Sequence, residues 1–472
     1  METQISAVFL GAETVWKLRR AVRLAFVDFT TLGERERTAR RELELNAANA
    51  PGLYRDVVAV VRAADGGLTL GGAGVVVDWV VRMARVPAGD FLDVVAAQGG
   101  LGPVLLDGLG DAVAALHGRN PVVARDQASA LRQVAAGNAL AARQAGLADG
   151  DVTAWQAGMM AALDRQGAVL RARGAAGMVR RCHGDLHLGN MCLWHGVPTA
   201  FDALEFDEDL ATVDVGYDLA FLLMDLDVRV GRAAANRVMN RWLARTGDWA
   251  MVGLLPGFLS MRAMVRAHVE AARGRAEDAA RYLGCALGYL RPPPARVVAI
   301  GGLPGAGKST VARVLAPEIG AAPGAVILRS DEIRKRRFGV APEQLLPKKA
   351  YAPRVSRAVF AEIADATAMI AAGGHAVIAD ATFMDSGHRD AVMRAAGPVP
   401  FLGVWLEVPL AELERRVEAR VGDASDADLG VLRRAAAACA GAGAGGGGWL
   451  GVDGSATDAA VAAICDTLAI RP

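Results

Sequence analysis

The sequence predicts a two-part chain of mixed α/β and α+β class. In the first part a β-rich lobe precedes a helical lobe, and the second is built on a parallel sheet covered by helices. Three observations carry this reading. Arg291-Pro292-Pro293-Pro294 forms a proline segment that cannot continue a helix and favours a short, stiff link. Before it, β-branched runs give way to helical periodicity. After it, strand and helix patterns alternate, as in parallel sheets packed on both faces.

The first part spans residues 1–290, with a β-rich lobe over 1–85 and a helical lobe over 86–290. Ile5 to Leu10 and Val75 to Val81 are apolar, β-branched runs that predict strands, and Glu34 to Ala48 has helical composition. From Leu105 the period changes: Leu105, Leu109, Val113 and Leu116 share one helical face, and 125–146 and 259–290 are rich in Ala, Leu, Arg and Met. Residues 291–295 form the linker, and 296–472 the second part. There the expected strands are Val297 to Ile300, Val326 to Leu328, Ala376 to Ala379 and Phe401 to Glu407, with helices from Ser309, about Ser356 and about Leu410. Ala435 to Gly448 is Ala/Gly low complexity and is expected to be a flexible surface segment rather than an element.

At 472 residues, 53% hydrophobic and 22% charged, the chain has material for two or three packed cores. A net charge of +1 supplies no field for nucleic acid or an anionic membrane, so small-molecule partners are expected and nucleic acid is not. Five scattered cysteines without CxxC spacing argue against a disulfide framework. No apolar run is long enough to span a bilayer and no secretory leader is evident, which predicts a cytoplasmic location. Of 52 basic residues only five are lysine (17, 308, 335, 348 and 349), so a lysine at a motif position is informative.

Gly302-Leu-Pro-Gly305-Ala306-Gly307-Lys308-Ser309-Thr310 matches the phosphate-binding pattern GxxxxGK[ST], after an apolar strand and before a helix. Glycines let the backbone N–H groups turn inward around phosphate, and the helix N-terminus adds positive potential. Lys308 is then expected on the β- and γ-phosphates of ATP, and Ser309 on Mg²⁺. At neighbouring strand ends, Asp331 is the candidate base for an acceptor hydroxyl, Arg334 a candidate clamp, and Asp380 a candidate for the Mg²⁺ site. Arg415, Arg416 and Arg420 fall on a predicted helix. They form either a phosphate-covering lid, which would put Arg416 and Arg420 at the nucleotide, or a solvated face.

In the first part the sharpest pattern is His183-Gly184-Asp185-Leu-His187-Leu-Gly-Asn190, with Asp202 twelve residues after Asn190. This is the spacing of a catalytic loop followed by a metal-binding aspartate. Asp185 is expected to orient or deprotonate a hydroxyl, and Asn190 and Asp202 to hold Mg²⁺, a hard ion that takes oxygen ligands. Lys17, alone among lysines before residue 308, and Glu42 in the following helix are expected to pair and position the ATP phosphates. Asp214 and Asp218 read as supports of that loop. The acidic run Glu205 to Asp209 reads as a solvated loop or a surface for a cationic acceptor.

The HGDxHxxN motif resembles the aminoglycoside phosphotransferase family, whose members have a bilobal kinase-like fold. The series GxPGxGKST, SDxxR and DATF, with a distal arginine-rich helix, resembles the small-molecule and polynucleotide kinase branch of P-loop proteins, including zeta-toxin-like kinases. The two-part arrangement is similar to fused phosphotransferase and P-loop ATP-binding chains. This implies an ATP- and Mg²⁺-dependent transfer to a small hydroxylated acceptor in each part. The alternative is a sensing module joined to one active P-loop kinase for a polynucleotide 5′-hydroxyl or a nucleotide sugar. Sixteen residues precede Lys17, less than is usual for a complete nucleotide-covering hairpin.

Overall fold

The computed structural model describes residues 5–24, 27–420, 422–440 and 448–469. The chain forms two compact units, Met1–Leu131 with Gly167–Asp225, and Arg132–Gln166 with Leu226–Pro472. Among the described residues no helix is long and apolar enough to cross a membrane, and all five cysteines are free thiols.

The first unit carries a five-stranded antiparallel sheet in the order Ser6–Leu10, Thr14–Arg19, Val75–Ala84, Tyr54–Arg62, Leu68–Leu70. The first two strands form a hairpin from Ser6 opposite Arg19 to Leu10 opposite Val15, so the short leading segment does build a hairpin, with Lys17 on its second strand. The helix Leu32–Ala47 packs against this sheet. It starts at Thr31, whose Oγ1 accepts the Glu34 N–H at 3.2 Å. Its buried positions Arg35, Thr38, Ala39, Glu42 and Asn46 recur at helical spacing, yet most of them are polar. The next layer is a pair of two-stranded ribbons, Val179–Arg181 with Thr212–Asp214 and Met191–Trp194 with Val197–Ala200, which frame residues 182–190.

The second unit contains five parallel strands in the order Val326–Arg329, Val377–Asp380, Val297–Gly301, Phe401–Glu407, Leu450–Asp453. Four of them match the predicted strands. The fifth was not foreseen, because Gly451 and its flanking glycines mask a short apolar pattern. Register sets Arg329 beside Asp380 and Asp380 beside Ile300, so the chemistry-bearing strand ends are level at the carboxyl edge. Val298, Ile300, Val311, Leu315, Ile378, Val404 and Leu413 are all buried in the core beneath that edge.

The outer strand Val326–Arg329 is covered by the helix Arg232–Thr246. Asn240 Oδ1 accepts the Ile327 N–H at 2.7 Å, and Asn236 Nδ2 donates to Ala325 O at 3.0 Å. Two asparagines thus occupy backbone groups that a bare sheet edge would expose. The expectation for Ala435 to Gly448 needs correcting. Leu429–Ala440 is a helix, with Leu432 fully buried in the core, while 441–447 lie outside the described residues. Alanine favours helix, so a low-complexity run with one apolar anchor continues it.

His375 is 1% exposed, and its Nε2 lies 2.9 Å from Gly324 O. Burial holds its pKa down to about 4, and burial lowers that of His268 to about 4 as well. Below about pH 6.5 the unfolded chain takes up protons that the folded chain refuses until about pH 4. Stability present at neutral pH is therefore lost as pH falls through that window, by about 1.4 kcal/mol for each unit of pKa difference. Urea midpoints across that range should fall, and less steeply for His375→Asn. An unchanged slope in the variant would remove His375 as the cause.

Candidate functional site

Glu42, fully buried, lies at the centre of the first unit's site. Lys17 Nζ donates to Glu42 Oε1 at 2.8 Å, and Arg19, two residues along the same strand face, donates Nη2 to Glu42 Oε2 at 2.6 Å. Lys17 also contacts Asp202, and Arg19 also contacts Glu205. Three carboxylates therefore share two cations. Burial and Arg19 act to lower the Lys17 pKa, but Asp202, Glu42 and Glu205 outweigh them and raise it. Burial pushes Glu205 up to about 7, with Glu42 adding to the rise and Arg19 opposing it. Glu205 is thus neither solvated nor turned to an acceptor, as the sequence had suggested; it is 4% exposed beneath the sheet. Glu208, in the same acidic run, pairs with Arg41 and Arg181.

Asp202 follows the ribbon in a left-handed conformation, φ 59°. Its N–H donates to Tyr54 Oη at 3.0 Å, and the next N–H, of Ala203, donates to Asn46 Oδ1 at 3.0 Å. The helix bearing Glu42 thus holds the Asp202 segment as well as Lys17. In the loop 182–190, Asn190 Nδ2 donates to Asp185 Oδ2 at 2.9 Å and Asp185 O at 3.0 Å, which leaves Asn190 Oδ1 as its acceptor atom. Asp185 is 41% exposed, open to a substrate, with His187 Nε2 3.5 Å away.

The loop itself is shaped by carboxylates behind it. Asp218 accepts the N–H groups of Gly184 at 2.8 Å and His183 at 3.2 Å, and Asp225 accepts that of Leu188 at 3.0 Å. Gly184 has φ 85°, and a Cβ there would sit 3.0 Å from Leu204 Cβ. Asp214 is held by Arg173 through bonds of 2.7 and 2.8 Å. Asp214 and Asp218 are thus buried supports.

In the second unit Gly302, Gly305 and Gly307 have φ of 142°, 86° and 86°, values that only glycine adopts without strain. Ala306 packs into the core, and the helix starts at Lys308, with the Thr310 N–H of its first turn on Gly307 O at 3.0 Å. Lys308 Nζ folds back onto Gly302 O at 3.0 Å and Leu303 O at 2.9 Å. Ser309 Oγ donates to Asp380 Oδ2 at 2.5 Å. Burial lowers the Lys308 pKa, opposed by Asp380 and Asp331; burial raises that of Asp331, opposed by Arg329.

Arg334 is 6% exposed, gives Nη1 to Ala350 O at 2.8 Å, and lies 4.7 Å from the Tyr351 ring centre. Arg416 bonds to Gly454 O at 3.1 Å and Ser455 O at 2.8 Å, and a Cβ on Gly307 would sit 3.7 Å from its Nη1. The predicted three-arginine helix is only partly formed. It ends at Glu418, Arg415 is exposed on Glu412, and Arg420 lies past the helix with Nε 3.5 Å from Asp423. Arg329, absent from the sequence reading, is buried between Asp423 and Asp380. Its signal was the last position of a strand whose neighbour ends in Asp380.

The oxygen sets Asn190 with Asp202 and Ser309 with Asp380 have the chemistry of Mg²⁺ ligands. Glu42, Asp202 and Glu205 also cluster closely enough for a metal, and Lys17 and Arg19 are their partners there.

A kinase-like antiparallel sheet with a loop of this geometry, followed by a phosphate-binding loop on a parallel sheet, defines a nucleotide-dependent phosphotransferase. Residues 11–255 match the phosphotransferase enzyme family, and the chain belongs to that family. Residues 297–441 match an AAA domain. The uncharacterized protein Rv2004c of Mycobacterium tuberculosis H37Rv is 28% identical over 455 residues, 92% of this chain and 89% of that protein. Among solved structures, a thermostable mutant of aminoglycoside phosphotransferase APH(4)-Ia is 15% identical (TM-score 0.38; 62% of this chain, 92% of that one). A sugar kinase from Janibacter sp. HTCC2649 is 20% identical (TM-score 0.28; 38% and 97%).

Glu42→Ala leaves two buried cations short of their shared partner. Removing one member of a buried pair costs about 3–5 kcal/mol, so unfolding of the first unit should shift by that amount. Urea denaturation of the full chain measures it, and a loss below about 1 kcal/mol would show that the remaining carboxylates suffice.

Proposed function

We propose that the chain is a two-site ATP-dependent kinase for small hydroxylated molecules, with residues 1–290 and 296–472 each transferring the γ-phosphoryl group and 291–295 as the link. One observation carries the reading. In one fold Lys17 meets Asp202 and Asn190 meets Asp185; in the other Ser309 meets Asp380, and Asp380 and Asp331 act electrostatically on Lys308.

In the first site Lys17, fixed by Glu42, holds the phosphates, and Asp185 takes the proton of the acceptor hydroxyl. In the second, the N–H groups of Gly305, Gly307, Lys308 and Ser309 would cradle the phosphates, while those of Ala306 and Thr310 hold the loop's own shape on Leu303 O and Gly307 O. Lys308 leaves its two carbonyl partners for the β- and γ-oxygens. Asp331, whose raised pKa makes it a better proton acceptor than a free carboxylate, serves the acceptor hydroxyl. Asn190 with Asp202, and Ser309 with Asp380, would hold Mg²⁺, which when bound neutralises developing phosphate charge.

A small-molecule acceptor is favoured over nucleic acid by the fate of the basic run Arg334 to Arg337. Arg334 is tied to Ala350 and Tyr351, Lys335 to Asp426, and Arg336 and Arg337 to Glu362. Lys348 and Lys349, the other cations of this patch, are exposed, but two neighbouring lysines do not make the stripe that a phosphate backbone needs.

Purified full-length protein should consume ATP with some members of a panel of sugars, amino alcohols and aminoglycosides, and not phosphorylate a 5′-hydroxyl oligonucleotide. Asp185→Ala and Asp331→Ala should each remove a different activity, by at least about 100-fold in kcat. If Asp185→Ala left every phosphorylation intact, the first part would be a binding module.

A further inference from the structure

Lys335 has no place in the chemistry above, yet it is 1% exposed and is one of five lysines in the chain. Its Nζ donates to Asp426 Oδ1 at 2.7 Å and to Gln344 O. The other oxygen of the same carboxylate accepts the Leu346 N–H at 3.0 Å and the Tyr351 hydroxyl at 2.6 Å. One side chain thus binds the helix Ser330–Arg337 to the segment 344–351. Tyr351 lies against the Arg334 guanidinium at 4.7 Å, and Arg334 and Asp331 act electrostatically on each other. A continuous path runs from Asp426 through Tyr351 and Arg334 to the candidate base.

Three residues before Asp426, Asp423 contacts Arg329, whose Nε lies 3.8 Å from Asp380 Oδ2, the oxygen that takes the Ser309 hydroxyl. The segment is therefore anchored toward the acceptor side by Asp426 and toward the phosphate side by Asp423.

We infer that Asp426, held by Lys335, is a positioning residue for the acceptor side of the second site, acting through Tyr351 on Arg334 and Asp331. A buried Lys–Asp pair adds little net stability, because desolvation offsets most of the attraction; what it supplies is a fixed geometry. A long flexible ammonium suits this place, since it must reach a carboxylate and a carbonyl in different directions, where a planar guanidinium fork would not. The inference rests on reading the second site as a kinase site, and it adds residues to that site that no phosphate-loop motif contains.

The test uses full-length protein carrying Asp185→Ala, which silences the first site, and follows Mg·ATP turnover with water as acceptor. Asp426→Asn should lower kcat about tenfold while the KM for ATP stays within about twofold, because Lys308 and Ser309 are not touched. Tyr351→Phe keeps the ring beneath Arg334 and removes only the hydroxyl bond, so it should lower kcat about threefold with the melting temperature unchanged. It carries the test if Asp426→Asn does not fold. Asp426→Glu, which restores the charge, should recover part of the loss. Parental kcat in folded Asp426→Asn and Tyr351→Phe would overturn the inference, as would kcat falling only in step with melting temperature. If Lys308→Ala removes no turnover from the parent, the second site is not an ATP site and both readings fall. If Lys308→Ala removes it and the clasp variants do not, only the clasp falls.

Discussion

A buried ammonium group must be surrounded by oxygen, and three of the five lysines in this chain are placed where that demand shapes everything near them. Lys17 is enclosed by Glu42 and Asp202, Lys308 by two loop carbonyls, and Lys335 by Asp426 and Gln344 O. The first and third join segments distant in sequence, strand to helix to ribbon and helix to two loops, whereas the second closes the phosphate-loop segment on itself. The carbonyls around Lys308 differ in kind from the carboxylates around the other two. Neutral oxygens release an ammonium to an incoming phosphate at smaller electrostatic cost than a carboxylate does. In the first unit Lys17 is also shared with Asp202. Arg19 meets the resulting excess of negative charge from behind, so Glu42 stays in place whichever partner Lys17 takes.

The motifs at 183–190 and 302–310 were legible because phosphate chemistry demands particular residues at fixed spacing. Lys17 and Glu42 were legible for a related reason: a lone lysine in an arginine-rich chain has to be explained by its chemistry. The support around them was not. Glu205 belongs to an acidic run that reads as solvated, and only the turn after Asp202 shows that it passes under the sheet. Asn46 and Arg35 fall on the buried face of a helix whose period is right but whose residues are polar, so hydrophobic periodicity could not find that face. Arg329 needed the strand register, and Asp426 the return of the chain from residue 423 to a helix some 90 residues earlier. In each case the missing information is a pairing between distant segments.

The parallel sheet solves the placement problem by register, since strands paired in step end in step: Ile300, Asp380 and Arg329 come level through backbone pairing, and Arg329 Nε then lies 3.8 Å from Asp380 Oδ2. Such an edge is precise only if its outermost strand cannot slip. That strand, Val326–Arg329, is bonded to a neighbour on one side, and on the other to two asparagines of the helix Arg232–Thr246. Within this unit, then, a helix that begins inside the stretch matched by the phosphotransferase family fixes the strand that leads into Asp331. The proline segment separates the two motif sets in sequence, but it does not mark the limit of the packing on which the phosphate-loop sheet relies.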